Sequence, residues 1–466
     1  MIDFDDLDEA PGGRLYDVVI YGATGYTGCL MVEHLDALLM DRGAQKLKWA
    51  LAGRNKEKLQ ALAAKCDSEP GVLEATTDEQ LEVVADLCHV VVSAAGPFHL
   101  CGHPLVRACV EKRTHYIDVT GEVVWMRSVI DRYHAAAKEK GVMIVQCCGA
   151  MSAHNDISCY LLAKRLGPMA QYREYNFGGG TQSGGTFLTG YKQYDGMLPS
   201  DFERVHLNPF ALGGRPPCGP REEDADPTEA ARDPLFPSVW QFPGHATHPT
   251  SRVLRRSAGL FAESPEGGPD YGKEVVIVTR CSTLDEKTAQ RTTKSSQGPQ
   301  DVRELVKYSM LMETMTSTAP PPGCGAPQKA RAMCHMESFA VAQGAGGEWA
   351  HVHFTGPEGY EATALAAITG ALVMVQESEL IKPKERGGVI TPAFAFHGSS
   401  WIDRLGQRSF ANTRGRPMSF EVLDGKPSEE AVQAALLASD VANGQFFEAQ
   451  RKGVVSAWKP PELYER

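Results

Sequence analysis

The residues best suited to chemistry lie near the start of the chain. Gly22-Ala23-Thr24-Gly25-Tyr26-Thr27-Gly28 follows an apolar run, Tyr16 to Tyr21, and precedes a helical pattern from Tyr26 to Met40. Glycines at this spacing are a weak signal alone; between a strand and a helix they are specific for a dinucleotide. Gly22 permits the tight turn, Gly25 lets backbone approach a pyrophosphate, and Gly28 lets the helix pack on the strand. The helix N-terminus then faces the anion. The next strand ends Ala52-Gly53-Arg54-Asn55-Lys56, with no acidic residue to bond a ribose 2′-hydroxyl. Arg54, with Asn55 beside it and Lys56 and Lys58 near, suits a 2′-phosphate instead, so NADP is the expected cofactor. Small residues at the fourth strand's end, Ala95, Gly96 and Pro97, leave room for the nicotinamide ribose.

Candidates for proton transfer follow. The fifth strand runs into Asp118-Val119-Thr120-Gly121-Glu122, which sets two carboxylates at the sheet edge; their alternative is capping and ion pairing. His154, after the sixth strand, carries the one side chain in 149–156 that ordinarily titrates near neutral pH, though a helix-capping role competes. Tyr191 is a third candidate by residue type. His99 and His103 flank Cys101, but no further ligands stand near, so no metal is expected. His351 and His353 read as a packing or surface pair. No Gly-x-Ser-x-Gly or Cys–His arrangement supports a hydrolase.

These residues need a scaffold. Strand patterns at 16–21, 47–52, 72–76, 89–94, 115–119 and 142–147 alternate with helical ones at 26–40, 55–66, 78–87, 104–112 and 123–140. Val/Ile-rich runs separated by helices predict an α/β fold, a doubly wound parallel Rossmann sheet over residues 14–150, after a flexible 1–13. A second, α+β domain is expected over 151–355. Within it lie a helix at 155–166, strands at 173–177, 274–280, 331–342 and 348–354, and helices at 186–196 and 301–315. Pro, Gly and charge mark 208–270 as a loop-rich insertion, with ordered islands at 239–242 and 251–261. The remainder, 356–466, reads as a helical segment packing back on the Rossmann domain.

The 466 residues are 42% hydrophobic and 23% charged, as in an ordinary globular chain, and suit two or three domains. With 47 Lys+Arg against 58 Asp+Glu the net charge is −11, which argues against a nucleic-acid partner. Twelve cysteines without a Cys-x-x-Cys spacing read as free thiols in a reducing compartment. The acidic first residues predict neither signal nor transit peptide. The uncharged stretch Ala362 to Val375 is too short to span a bilayer and reads as a core helix. A cytoplasmic protein is expected, with contact at the periphery of membranes or lipid droplets left open.

In order along the chain, GATGYTG, AGRNKEKL, SAAGPFHLCGHPLVRAC and YIDVTGE resemble the saccharopine dehydrogenase-like oxidoreductases, which include the trans-acting enoyl reductases of lipid biosynthesis. GYEATALAAITGALVMV and GGVITPAFAFHG are similar to the enoyl reductase branch. The resemblance implies hydride transfer from NADPH to a C=C or C=N bond of an enoyl, lipid-like or imine substrate; a homo-oligomer is left open. The alternative is a catalytically weak NADP-binding scaffold on a lipid or protein surface. One segment departs from the family. Where it reads Cys-Gly-Phe-Asp-Ser-(Ile/Val)-Pro-x-Asp, this chain has Cys148-Gly149-Ala150-Met151-Ser152-Ala153-His154-Asn155-Asp156, which implies a different substrate edge or lost turnover. Ser183-Gly184-Gly185-Thr186 resembles the family's Gly-Thr segment, which opens a helix near the cleft.

Overall fold

A computed structural model describes residues 13–40, 47–178, 180–194, 197–244, 246–296, 298–299, 301, 303–305, 320–407 and 416–454. Alternating apolar runs and amphipathic spacers fold as the periods demand. The order is β1 (Tyr16–Tyr21), α1 (Tyr26–Met40), β2 (Trp49–Gly53), α2 (Lys56–Ala63), β3 (Gly71–Glu74), α3 (Asp78–Asp86), β4 (Cys88–Ser93), α4 (Phe98–Lys112), β5 (His115–Asp118), α5 (Val123–Lys140) and β6 (Met143–Val145). These strands pair in parallel in the order β6-β5-β4-β1-β2-β3. The strand order reverses between β1 and β4, and the crevice above that point is where such sheets bind ligands.

The helix expected to begin at Pro104 begins at Phe98, with Pro104 inside it. Proline favours a helix's first turn, which drew the predicted start six residues too late.

A seventh strand, β13 (Gly388–Ile390), pairs in parallel with β6, so the C-terminal part of the chain is not helical alone. Its helix α10 (Gly359–Gln376) is buried from Ala362 to Met374. It packs against α1, β1, β4 and β5. Apolar on every side, it is a core helix. Among the described residues no single helix is long and apolar enough to cross a membrane; α10 and the turns after it pass that test only as a pair bent by 97°.

The second sheet is mixed, in the order β14-β12-β11-β7-β10-β9-β8. Its strands are β7 (Met169–Gly178), β8 (Ala231–Arg232), β9 (Trp240–Phe242), β10 (Val276–Thr283), β11 (Met336–Gly344), β12 (Trp349–Gly356) and β14 (Ser419–Asp424). Helix α6 (Ala153–Leu166) covers one face and links the two sheets; α9 (Glu286–Ser296) follows β10, and α11 (Glu429–Arg451) lies against β7 and β10.

The stretch expected to be loop-rich holds α8 (Thr247–Glu263), a longer helix than the predicted island. Its arginines made the stretch look solvated, yet they are the fastening. Arg252 pairs with Asp226 at 2.6 Å, Arg255 with Asp224 at 3.4 Å, and Arg256 donates to Leu212 O. Each thus ties a Pro/Gly-rich loop to the helix. The helix predicted over 301–315 falls mostly outside the described residues, as do residues 1–12 of the predicted flexible terminus.

Candidate active site

The glycine loop joins β1 to α1 with backbone at three contact distances. At Gly22 φ is +80°, and a Cβ would lie 2.9 Å from Ala95 N. At Gly28 a Cβ would lie 2.1 Å from Gly22 O, so helix and strand approach as only glycine allows. At Gly25 the same atom would meet only Gly22 O, at 3.2 Å, and otherwise open space. Gly22 and Ala23 N–H are spent on Ala52 O, and Gly25 N–H on Gly22 O. The N–H groups of Tyr26, Thr27 and Gly28 have no acceptor among the described residues. An open cradle beneath three free donors at a helix N-terminus fits a pyrophosphate. The Tyr26 side chain does not take part. It is buried, donates to Ala326 O at 2.6 Å and stands edge-on to Tyr360, so only its backbone faces the cradle.

At the end of β2, Arg54 is exposed and makes no ion pair among the described residues. Asn55 turns to a structural duty: its Oδ1 accepts from Lys58 N at 2.8 Å and caps α2. The free guanidinium fits a 2′-phosphate. Ala95, Gly96 and Pro97 sit at the end of β4, and a Cβ on Gly96 would lie 3.5 Å from Thr189 of α7 (Gly184–Lys192). Helix α7 therefore crosses above this strand end. Tyr191 belongs to its last turn, but its side chain lies outside the described residues.

Past the end of β5, Gly121 comes against Met151: a Cβ on Gly121 would touch it at 3.0 Å. Ala150 N donates to Thr363 of α10 at 2.9 Å. Tyr360, missed in the sequence, accepts from Ser183 N at 2.6 Å and donates to Thr186 at 2.7 Å, pinning the start of α7 to that of α10. Only the spacing of Ser183 and Thr186 as a cap hinted at that junction. A Pro/Gly segment closes the rim. Cys324 O accepts from Gly184 N at 2.9 Å, and Arg331 bonds Ala326 O and Glu361 at 2.9 Å each.

The acid–base candidates separate here. Glu122 is buried, and its carboxylate accepts from the N–H groups of Phe98 at 2.7 Å and His99 at 3.0 Å. Asp118 is buried beneath, accepting from Thr120 N, Cys147 N and Trp125; desolvation pushes it up to about 6. His154 does not behave as expected. It lies in the first turn of α6, buried and stacked on Phe354 of β12 at 4.6 Å, and desolvation pushes its imidazole down to about 3. It faces the second sheet, is neutral across the physiological range, and does not cap its helix. Tyr160 and Lys164 of α6 have the Tyr-x-x-x-Lys spacing of short-chain alcohol oxidoreductases. Tyr160, however, stacks on Phe261 at 5.9 Å, in the core. Among the described residues no cluster of three His, Cys, Asp or Glu suits a metal, and all twelve cysteines are free.

Fold and cradle together define a dinucleotide-binding domain. Residues 18–145 match the family model described as the saccharopine dehydrogenase NADP binding domain. A Mycobacterium tuberculosis protein whose name places it provisionally among trans-acting enoyl reductases is 28% identical over 416 residues, 84% of this chain and 96% of its own. The trans-acting enoyl reductase of Mycobacterium ulcerans is 27% identical over 424 residues, again 84% and 96%. Among solved structures, the L-Glu-forming saccharopine dehydrogenase of Saccharomyces cerevisiae aligns over 88% of this chain and 100% of its own, at 10% identity and a TM-score of 0.45. Residues 18–145 are thus similar to a saccharopine dehydrogenase NADP binding domain, and the chain as a whole is similar to proteins named as trans-acting enoyl reductases.

Proposed function

We propose that this protein uses NADPH, in preference to NADH, to reduce the activated C=C bond of an enoyl, lipid-like acyl substrate held over the ends of β4 to β6. The observation that carries the reading is the kind of residue that stands at those strand ends. Gly96, Pro97, Gly121, Ala150 and Met151 offer apolar surface and backbone, with no guanidinium or ammonium among them to hold the carboxylates of an amino-acid substrate. The names of the mycobacterial relatives point the same way. Gly25 and the first turn of α1 would hold the pyrophosphate, Arg54 the 2′-phosphate, and Ala95, Gly96 and Pro97 the nicotinamide ribose. Bound there, NADPH supplies the hydride. The chain's part is to fix the ring above β4, keep water out under α7 and the 320–331 segment, and deliver a proton to the carbon next to the carbonyl.

The test is NADPH consumption by the purified protein with enoyl thioesters of increasing chain length, against imines formed from an amine and a 2-oxo acid. Consumption with the thioesters alone is expected. Consumption with the imines alone would overturn the reading, and NADPH binding with no consumption by any substrate would make the protein a scaffold.

A further inference from the structure

We infer that His99 delivers the proton, with Glu122 as its positioning residue; the inference rests on the enoyl reading above. His99 lies in the first turn of α4, two residues after Pro97, at the strand end that faces α7. Its Nδ1 bonds Glu122 Oε2 at 2.5 Å. A carboxylate only accepts, so Nδ1 carries the hydrogen. Glu122 also accepts the N–H of Phe98 and of His99 itself, so one buried carboxylate fixes the backbone, tautomer and ring of one residue. The other ring nitrogen, Nε2, is buried and has no hydrogen-bond partner. A carboxylate orienting an imidazole whose second nitrogen is left for a reacting group is how a general acid is built.

The surroundings single out this histidine. His103, one turn on, is edge-on to Trp125 and bonded to Ser128. Cys101, in the same turn, places its Sγ 3.2 Å from Pro97 O, with Arg54 and Glu122 near enough to act on it, and Asp118 is closed off beneath. Among the described groups around this strand end, His99 alone combines an unpartnered ring nitrogen with a carboxylate that orients the ring; His103 Nδ1 is also unpartnered, but no carboxylate bonds that ring.

The step balances. The substrate β-carbon gains the hydride as NADPH is oxidised. The π pair then resides on the α-carbon and carbonyl oxygen, and the α-carbon takes the Nε2 proton. The ring that gives this proton is the imidazolium; the N–H electron pair stays on Nε2, leaving a neutral imidazole whose Nδ1–H still donates to Glu122, and water returns the Nε2 proton.

Two measurements test this. The first is the pH dependence of kcat and KM with crotonyl-pantetheine thioester for the parent, His99→Gln and Glu122→Gln. Gln at 99 still offers a donor to Glu122, which keeps the start of α4 intact. His99→Gln should lower kcat about 100-fold or more, with KM within about threefold and the alkaline fall in kcat gone. Glu122→Gln should shift that fall. A His99→Gln kcat within about threefold of the parent, with the fall retained, overturns the assignment while the enoyl reading stands. The second is ¹⁵N NMR of the His99 ring, assigned by its loss in His99→Gln, with and without NADP⁺. A shift confined to Nε2 is expected, since Nδ1 is held by Glu122. If the parent leaves the thioester untouched, the enoyl reading fails; an Nε2 signal blind to NADP⁺ would then overturn the placement of His99 as well.

Discussion

Gly25→Val separates binding from folding at the glycine loop. At this position the added Cβ meets one atom, Gly22 O at 3.2 Å, so its tight contact is with a single carbonyl that can yield a few tenths of an ångström. The two γ-methyl groups point onward into the space before the free N–H groups of Tyr26, Thr27 and Gly28. A phosphate oxygen pushed off one of those donors loses a charge-assisted hydrogen bond of about 1.5–3 kcal/mol, or roughly 10- to 100-fold in affinity. Gly28→Ala is the matched control. Its Cβ would sit 2.1 Å from Gly22 O and 2.9 Å from Ala23 Cα, so α1 must lift off β1, an overpacking cost of about 1–3 kcal/mol. The assays are calorimetric titration with NADPH and thermal unfolding. Gly25→Val should keep its Tm and lose binding; Gly28→Ala should lose several degrees. Normal NADPH affinity in folded Gly25→Val would refute the placement of the pyrophosphate.

Arg54→Asp should narrow or reverse the NADPH-to-NADH affinity ratio, which in the parent should be at least about tenfold; equal parent affinities by titration would refute a 2′-phosphate contact. His154→Gln should leave turnover and its pH profile unchanged, because burial holds the imidazole neutral; a fall in kcat of about 100-fold or more would restore His154 as the donor. Burial pushes Glu174 on β7 up to about 8 and Asp156 up to about 7. Both native pKa values lie above the unfolded ones, so stability is full below the unfolded carboxylate range and declines as pH rises toward 8. Denaturant unfolding should show that decline, and Glu174→Gln should flatten it and stabilise the protein at pH 8; an unchanged slope would refute the buried-acid account.

The dinucleotide half was legible because its rules are local. Strands buried on both faces read as apolar runs, and the glycine loop is dictated by contacts only a few residues apart in the chain. Arg54 stood out by the absence of an acid beside it. What escaped depended on partners far along the chain. β13 completes the first sheet from 240 residues beyond β6, and a three-residue strand leaves no period to read. Likewise, α8 looked solvated because Arg252 and Arg255 find Asp226 and Asp224 only in the fold. His154 was misread for the same reason: its position after β6 was right, but the ring that buries it, Phe354, lies 200 residues away. The pairing of His99 with Glu122 joins two elements that no spacing rule connects.

The central claim, that the cleft between β4 and α7 passes a hydride from NADPH to an enoyl carbon, is tested most directly by an isotope. NADPH deuterated at the transferring nicotinamide position is incubated with the protein and an enoyl thioester in ordinary water, and the product is read by mass spectrometry and NMR. One deuterium at the β-carbon, with hydrogen from solvent at the α-carbon, is the predicted result. Deuterium at the α-carbon, or a reduced product with no deuterium, would contradict it.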